Sequence, residues 1–345
     1  MKEHLPALTG LRFLLAFWVI LHHLTGPGGA LDPWASSLPH PLYAVIRGGY
    51  LAVATFFVLS GFVLAHGYGC GDWPQERLRR YAVARFARIY PVYALSLLMV
   101  APFILAYHGP GKAGLIANYG LLLQGWTGHQ PVGWNTPAWS LSCEVFFYCS
   151  FPLIGWLIRS LARPGALAAV AGTACLLPRL LTACGLHQDW KPLVHFADFL
   201  MGIAAWVLYS RLRESGRPRL IAPWLYIGAA LTGAAVIAWP EVLPSVVDLN
   251  SALRPLNALL VAGLAAGSGY IARLLASPIA VYLGRSSYAM YILHIPLVWW
   301  VKRWSSTYSA GAYLAFVVVF AVVVHRFLEE PANRYIRSKA LAIIS

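Results

Sequence analysis

Apolar runs of about 20 residues recur along the whole chain, at 5–24, 48–67, 81–107, 139–158, 165–184, 192–210, 220–239, 252–270, 279–301 and 310–328. A helix of that length crosses a hydrocarbon core ~30 Å thick. Lipid offers no water to backbone N–H and C=O groups, so each run must satisfy its own by forming a helix. The pattern therefore predicts an all-α, polytopic membrane protein of about ten transmembrane helices. One further apolar stretch, 113–125, is too short to cross and is expected to be re-entrant or to lie on the outer surface. The first run contains Arg12 and no small-residue cleavage site, which suits a retained helix better than a signal peptide.

Composition agrees with the periodicity. Only 11% of residues are charged, too few to coat a soluble domain, where about 25% is usual. No stretch reads as an appended soluble domain, so 1–345 is taken as one transmembrane domain. The net charge of +14 raises the question of nucleic acid. Its distribution answers it. With a cytoplasmic N-terminus, 17 of the 26 basic residues fall on inner loops and span ends, against seven on outer segments. That asymmetry is the positive-inside rule; it predicts both termini and 68–80 inside, 25–47 and 126–138 outside, and no nucleic-acid partner. The five cysteines lack metal-ligand spacing and read as small, buried side chains, with no metal site.

Three constellations carry candidate chemistry. Charged side chains within a span cost roughly 2.5–3.5 kcal/mol each and point to function by default. In the first span, Arg12 and His23 are eleven residues apart, which places them on nearly one face about 16 Å apart in depth, while His22 is turned away. A histidine suits proton abstraction near neutrality, and an arginine suits an anionic or carbonyl oxygen. A snorkelling Arg12 and an interfacial His23 are the bland alternative. Next, Arg77, Tyr81, Arg85 and Arg88 recur at helical spacing on the third span. Such guanidinium forks match the phosphates of coenzyme A, or the cluster merely sets topology and meets anionic lipid. Finally, Ser140 and Glu144 lie one turn apart at the outer end of the fourth span, where Glu144 could orient a histidine. Cys143 beside them reads as packing. Weaker signals are a His195–Asp198 pair, His294 before Pro296, and Glu329–Glu330–Pro331, with Glu330 as a bridge to the arginine cluster or simply a helix end.

Taken in order, these motifs resemble the acyltransferase-3 family of membrane acyltransferases over nearly the whole chain. The carriers are Arg12 with His23; Phe56, Phe57, Ser60, Gly61 and Phe62; Arg85, Arg88 and Pro91; Trp139 to Ser142 with Glu144, Phe147 and Tyr148; Leu283 to His294; and Glu330 with Pro331. The resemblance implies a multi-pass protein of the bacterial cytoplasmic (inner) membrane that takes an acyl group, acetyl first of all, from cytoplasmic acyl-CoA. It implies a carbohydrate hydroxyl as acceptor, in a surface polysaccharide such as an exopolysaccharide or in its lipid-linked precursor. A small glycosylated metabolite such as a macrolide is the alternative. His23 is then the general base, with Arg12 and Glu144 as further catalytic residues. Arg85, Arg88, Arg80, Tyr90 and Ser60 fall to acetyl-CoA, and Trp139, Ser140, Tyr148 and His294 to the acceptor. Membrane lipid is the surrounding partner, and a homo-oligomer is compatible with the reading. A transporter or flippase is the rival from another class, but the internal repeats common in that class are not found in the sequence.

Overall fold

The computed structural model describes residues 5–69, 72–107, 111–127, 134–160, 164–185, 190–244, 247–304 and 308–344. Lys2, Cys70, Arg163 and part of the outer segment 126–138 lie outside the described residues. Every described element is helical. The principal helices are α1 (Pro6–Leu24), α2 (Ala52–Tyr68), α3 (Gln75–Leu105), α4 (Trp139–Ser160), α5 (Pro164–Ala183), α6 (Lys191–Glu214), α7 (Pro218–Ala238), α8 (Leu249–Ala265), α9 (Ser287–Trp304), α10 (Ala310–Val324) and α11 (Glu330–Ile344). The ten stretches expected from hydropathy are largely helical, although the eighth runs past its helix end at Ala265 and the ninth holds two helices. Among the described residues, six helical segments, Pro6–Leu24, His40–Tyr68, Gln75–Leu105, Lys191–Glu214, Pro218–Ala238 and Ala310–Ala340, are long and apolar enough to cross a membrane by length and composition.

Several boundaries differ from expectation. Helix α3 runs 31 residues, about 46 Å, because the arginine-rich turns from Gln75 onward extend the apolar part without a break. The ninth stretch is interrupted at Ser286, between a short helix Pro278–Arg285 and α9. There the hydroxyls of Ser286 and Ser287 donate to Leu283 O and Gly284 O, both at 2.8 Å, a local bonding pattern that competes with helix continuation. Gly284 itself packs against α1: a Cβ there would sit 1.9 Å from Thr9 O. The segment 113–125 holds a nine-residue helix, Lys112–Gly120, too short to cross. It turns back to the start of α4, where Gln124 donates to Ala138 O at 2.7 Å and Gly125 N to Ser142 Oγ at 3.1 Å. Between α10 and α11 lies a single π-turn, His325–Glu329.

Small residues and prolines shape the packing. Gly61 of α2 and Gly202 of α6 meet reciprocally: added Cβ atoms would lie 2.0 Å from Phe199 O and Val58 O, the close approach that small residues permit between membrane helices. A proline within a helix leaves the carbonyl four residues earlier without its N–H partner. Pro152, Pro178 and Pro296 each do so. In each case a side chain of another segment donates to that carbonyl: Tyr81 to Tyr148 O at 3.0 Å, Arg254 to Ala174 O at 3.2 Å, and Asn135 to Ile292 O at 2.9 Å. These prolines latch helices together instead of merely bending them.

Not every cysteine is buried as expected. Cys143 is, but Cys149, Cys175 and Cys184 face outward from their segments. Apolar outward faces suffice for them in lipid.

Candidate active site

A cavity of about 290 Å³ lies between α1, α2, α3, α4 and α9, with α11 at its margin. Its polar lining is Arg12, Ser60, Arg85, Arg88, Ser140, Glu144, Tyr148, Ser287, Tyr288, Tyr291, Asn333 and Arg337. Seven of the residues singled out from sequence thus meet around one space, from four helices. Helical spacing explains the array on α4, where Ser140, Glu144 and Tyr148 repeat every four residues and form one stripe.

The lining has more cation than anion. Arg88 pairs with Glu329, whose side chain is almost fully buried and whose other oxygen lies 2.9 Å from His325 Nδ1. Arg88 also sits over the ring of Tyr288, 5.2 Å from its centroid. Arg85 is boxed by Tyr68, Tyr81 and Tyr148, with its carbon 5.5–5.8 Å from the three ring centroids, and its buried Nε has no hydrogen-bond partner. Arg12 faces the cavity and makes no hydrogen bond or ion pair with any described residue. Glu144 is the acid that lines the space, and it accepts a 2.9 Å hydrogen bond from Tyr148. Guanidinium groups with unused donors, enclosed and under-compensated, form a receptor for an anion.

Beside the cavity, sharing Ala84 and Arg337 with it, is a wider basin of about 540 Å³ formed by Gly67, Tyr68, Pro74, Glu76, Arg77, Arg80 and Tyr81. Arg77 fixes the connection between α2 and α3 by donating to Tyr68 O and to Asp72 O. Arg80 belongs to this basin, not to the cavity, and pairs with Glu76 at 2.5 Å. Tyr90 is also outside the cavity. It stacks on Phe86 at 4.8 Å in a neighbouring apolar groove that shares Arg85, Ile89 and Tyr148 with the cavity.

His23 lies toward the far end of α1. It is exposed, and its Nδ1 is 3.0 Å from Val19 O and 3.2 Å from Nε2 of His294. His294 is 1% exposed, and it stands one turn beyond Tyr291 on α9. Tyr291 in turn lines the cavity and donates to Ser140 Oγ and Pro137 O, both at 3.1 Å. The partner of His23 is therefore His294, whereas the sequence suggested Glu144, which is held by Tyr148. Trp139 is also set back from the cavity, under Lys191 Nζ at 4.7 Å and beside His195 and Phe57. His22 is turned away from His23's surroundings as helix geometry required: its Nδ1 is 2.5 Å from Arg47 O, and Arg47 donates to His22 O at 3.0 Å.

Sequence reasoning gave no role at the site to Tyr288 and Tyr291, which it named only within the stretch Leu283 to His294, to Glu329, which it read as part of a helix end, or to Arg337. Tyr291 carried a usable signal, since it precedes His294 by one helical turn. Glu330, the expected bridge to the arginines, instead pairs with Arg326 and Arg334 at the surface. The expected His195–Asp198 pair forms at 2.9 Å, and Arg254 joins it at 2.7 Å from Asp198. Arg254, one of the seven basic residues counted to outer segments from the sequence, is 2% exposed inside the bundle. Among the described residues, no group of three His, Cys, Asp or Glu side chains could hold a metal ion.

A family model described as "Acyltransferase domain" matches residues 5–325. The acyltransferase MdmB of Streptomyces mycarofaciens is 30% identical over 376 residues, which cover 96% of this chain and 92% of that protein. Peptidoglycan O-acetyltransferase OatA of Listeria monocytogenes is 20% identical over 394 residues, covering 96% of this chain and 56% of that protein. The chain thus spans little more than half the length of the second relative. No solved structure matches the chain.

Proposed function

The chain belongs to the acyltransferase-3 family, and from that premise we propose that it moves an acyl group from acyl-CoA, acetyl-CoA in the first instance, to a carbohydrate hydroxyl across the membrane. In this reading 1–345 is one inner-membrane domain of ten spans, with both termini and the arginine-rich end of α3 in the cytoplasm. The observation that carries it is the cationic cavity beside the arginine basin. Phosphates of the donor are held at the basin by Arg77, Arg80 and Arg337, and deeper by Arg85 and Arg88. The pantetheine arm then occupies the cavity, with the thioester near Ser140 and Tyr291 at its roof.

The acceptor approaches the opposite end, where His23 is exposed. His23 removes the hydroxyl proton as general base. The acceptor oxygen bonds to the thioester carbon, the carbon–sulfur bond breaks, and the proton passes on to the departing thiolate. Contact between donor and His23 requires Tyr291 to release Ser140 and Pro137 and open the roof. Arg12 stabilises negative charge on the donor side, and Glu144 balances the arginines around it. A carbohydrate acceptor is favoured by the name of the Listeria relative, peptidoglycan O-acetyltransferase.

The test uses purified protein in lipid nanodiscs with isotope-labelled acetyl-CoA, together with mass spectrometry of surface glycans from cells with and without the gene. Labelled acetyl should bind, and a glycan ester should vanish with the gene. Absence of acetyl-CoA binding and unchanged glycans together would overturn the proposal. Topology is read separately, in a cysteine-free background, from Gly28→Cys and Arg217→Cys. An impermeant reagent applied to intact cells should label only the former, and labelling of Arg217→Cys refutes the ten-span arrangement.

A further inference from the structure

The contacts of the two facing histidines determine where their protons sit. A carbonyl oxygen only accepts. Nδ1 of His294 lies 2.6 Å from Tyr291 O, so that nitrogen carries a proton. Nδ1 of His23 lies 3.0 Å from Val19 O, so it carries one as well. No carboxylate of the described residues hydrogen-bonds to either ring, so nothing compensates a positive charge on the buried His294, and a neutral ring leaves its Nε2 bare. That bare nitrogen is 3.2 Å from Nδ1 of His23. The Nδ1–H of His23 is therefore shared between Val19 O and His294 Nε2. The reverse arrangement, with a proton on His294 Nε2, would drive two N–H groups together.

We infer that His294 is a positioning residue: it fixes His23 as the tautomer protonated at Nδ1, so that Nε2, on an exposed side chain and hydrogen-bonded to no described group, is the nitrogen that accepts the acceptor's proton. His294 does for His23 what an orienting third group does for a catalytic base elsewhere. Its ring is held by Nδ1, tied to Tyr291 O, and its stretch of backbone is held by the hydroxyl of Tyr313 on α10, which donates to the His294 carbonyl. Because Tyr291 also closes the cavity roof, the same turn of α9 joins the donor's chamber to the base. The inference rests on His23 being the base, but it concerns a different residue and a different observable.

The experiment is ¹⁵N NMR of histidine-labelled protein in nanodiscs, with His23→Gln identifying the His23 signals, alongside transfer kinetics. Wild type should show His23 protonated at Nδ1 and bare at Nε2. In His294→Leu the other tautomer should gain population. The value of kcat should fall roughly 10- to 100-fold, less than the ~10⁴ attached to a charged orienting aspartate in serine proteases, while KM for acetyl-CoA holds. His294→Gln should recover much of the rate, since its amide oxygen can accept near the place of the lost Nε2. A wild-type His23 protonated at Nε2, or a His294→Leu protein with unchanged tautomer and kcat, overturns the inference. So does His294→Gln performing no better than His294→Leu per folded molecule. Transfer that survives His23→Ala would instead refute His23 as base, whatever the tautomer.

Discussion

Two regions of this molecule bury arginine, and they treat it in opposite ways. In the α5–α8 part of the bundle, Arg254 spends three of its five donors on bundle groups: Nε on Asp198, and one terminal nitrogen on Ala174 O at 3.2 Å and on Ser251 Oγ at 3.4 Å. Asp198, fully buried, is completed by His195. At the cavity, Arg12 has no such partner, Arg85 keeps a buried Nε unpaired, and Arg88 shares Glu329 with His325. An arginine paired with a buried carboxylate and a freed carbonyl of the same bundle holds a structure together. An enclosed arginine with donors left over bears a desolvation cost that a ligand can offset. Intramembrane charge alone does not separate scaffold from site; satisfaction of its hydrogen bonds does.

The largest expected effect breaks the partnered side of that comparison. Arg254→Leu leaves Asp198 charged and buried without its main partner, which costs on the order of 3–5 kcal/mol. The folded yield and thermal midpoint in detergent should fall steeply, while the fraction that does fold binds acetyl-CoA as wild type does. Pairing it with Asp198→Leu should return part of the stability, because two apolar side chains replace an ion pair at much lower cost than one orphaned charge. A stable Arg254→Leu protein with impaired donor binding would assign Arg254 to the site and erase the contrast.

Next in size is His23→Ala. Folding and acetyl-CoA binding should persist, with transfer reduced about 10²-fold or more, the range for loss of a general base. His22→Ala is its control. That side chain ties Arg47 O to the end of α1, so its loss should loosen the outer segment, lowering the thermal midpoint more than the rate per folded molecule. Equal losses of rate in the two variants would contradict the separation of roles.

How much of this was legible in the sequence follows from which forces act locally. The helices were, because period and length are properties of consecutive residues. So was the angular separation of His22 from His23. The convergence of Arg12, Ser60, Arg85, Arg88, Ser140, Glu144 and Tyr148 on one cavity was anticipated only as separate motifs. The proline latches were not legible at all: only the fold shows Tyr81, Arg254 and Asn135 meeting the carbonyls that Pro152, Pro178 and Pro296 leave free. Arg254 was misplaced for a related reason, since a cation near a span end looks like a loop residue until its partner 56 positions away in sequence is seen.

Of intermediate size are the donor contacts. Arg85→Ala or Arg88→Ala should weaken acetyl-CoA binding about 10-fold or more, as expected for losing one hydrogen bond to a charged group, roughly 1.5–3 kcal/mol. Lysine at either position should recover only part of this, because the ammonium keeps the charge but not the planar fork. Calorimetric titration of the nanodisc protein measures it. An unchanged affinity in the double alanine variant would leave these arginines a topological role alone and remove the ligand side of the comparison.

The smallest effects come from two neighbouring acids that the π-turn points in different directions. Glu329 is buried against Arg88 and His325, while Glu330 is at the surface between Arg326 and Arg334. Glu329→Gln keeps the shape but removes the charge that holds Arg88. Stability should drop, since a charge-assisted hydrogen bond becomes an ordinary one. Affinity for acetyl-CoA should hold or tighten, because the cavity gains net positive charge and Arg88 is freed to turn toward a phosphate. Arg88→Ala should instead lose both, because it takes a donor contact away and leaves the buried Glu329 without its arginine, so binding retained in Glu329→Gln separates the pair's structural role from its role toward the donor. Glu330→Gln should change neither quantity, because exposed ion pairs on a helix are screened by solvent and replaceable by water. If Glu329→Gln weakens acetyl-CoA binding as much as Arg88→Ala does, the pair works as a unit in holding the donor. Arg88 would then stand closer to Arg254, whose partners are parts of the bundle, than to Arg12, which has no partner among the described residues.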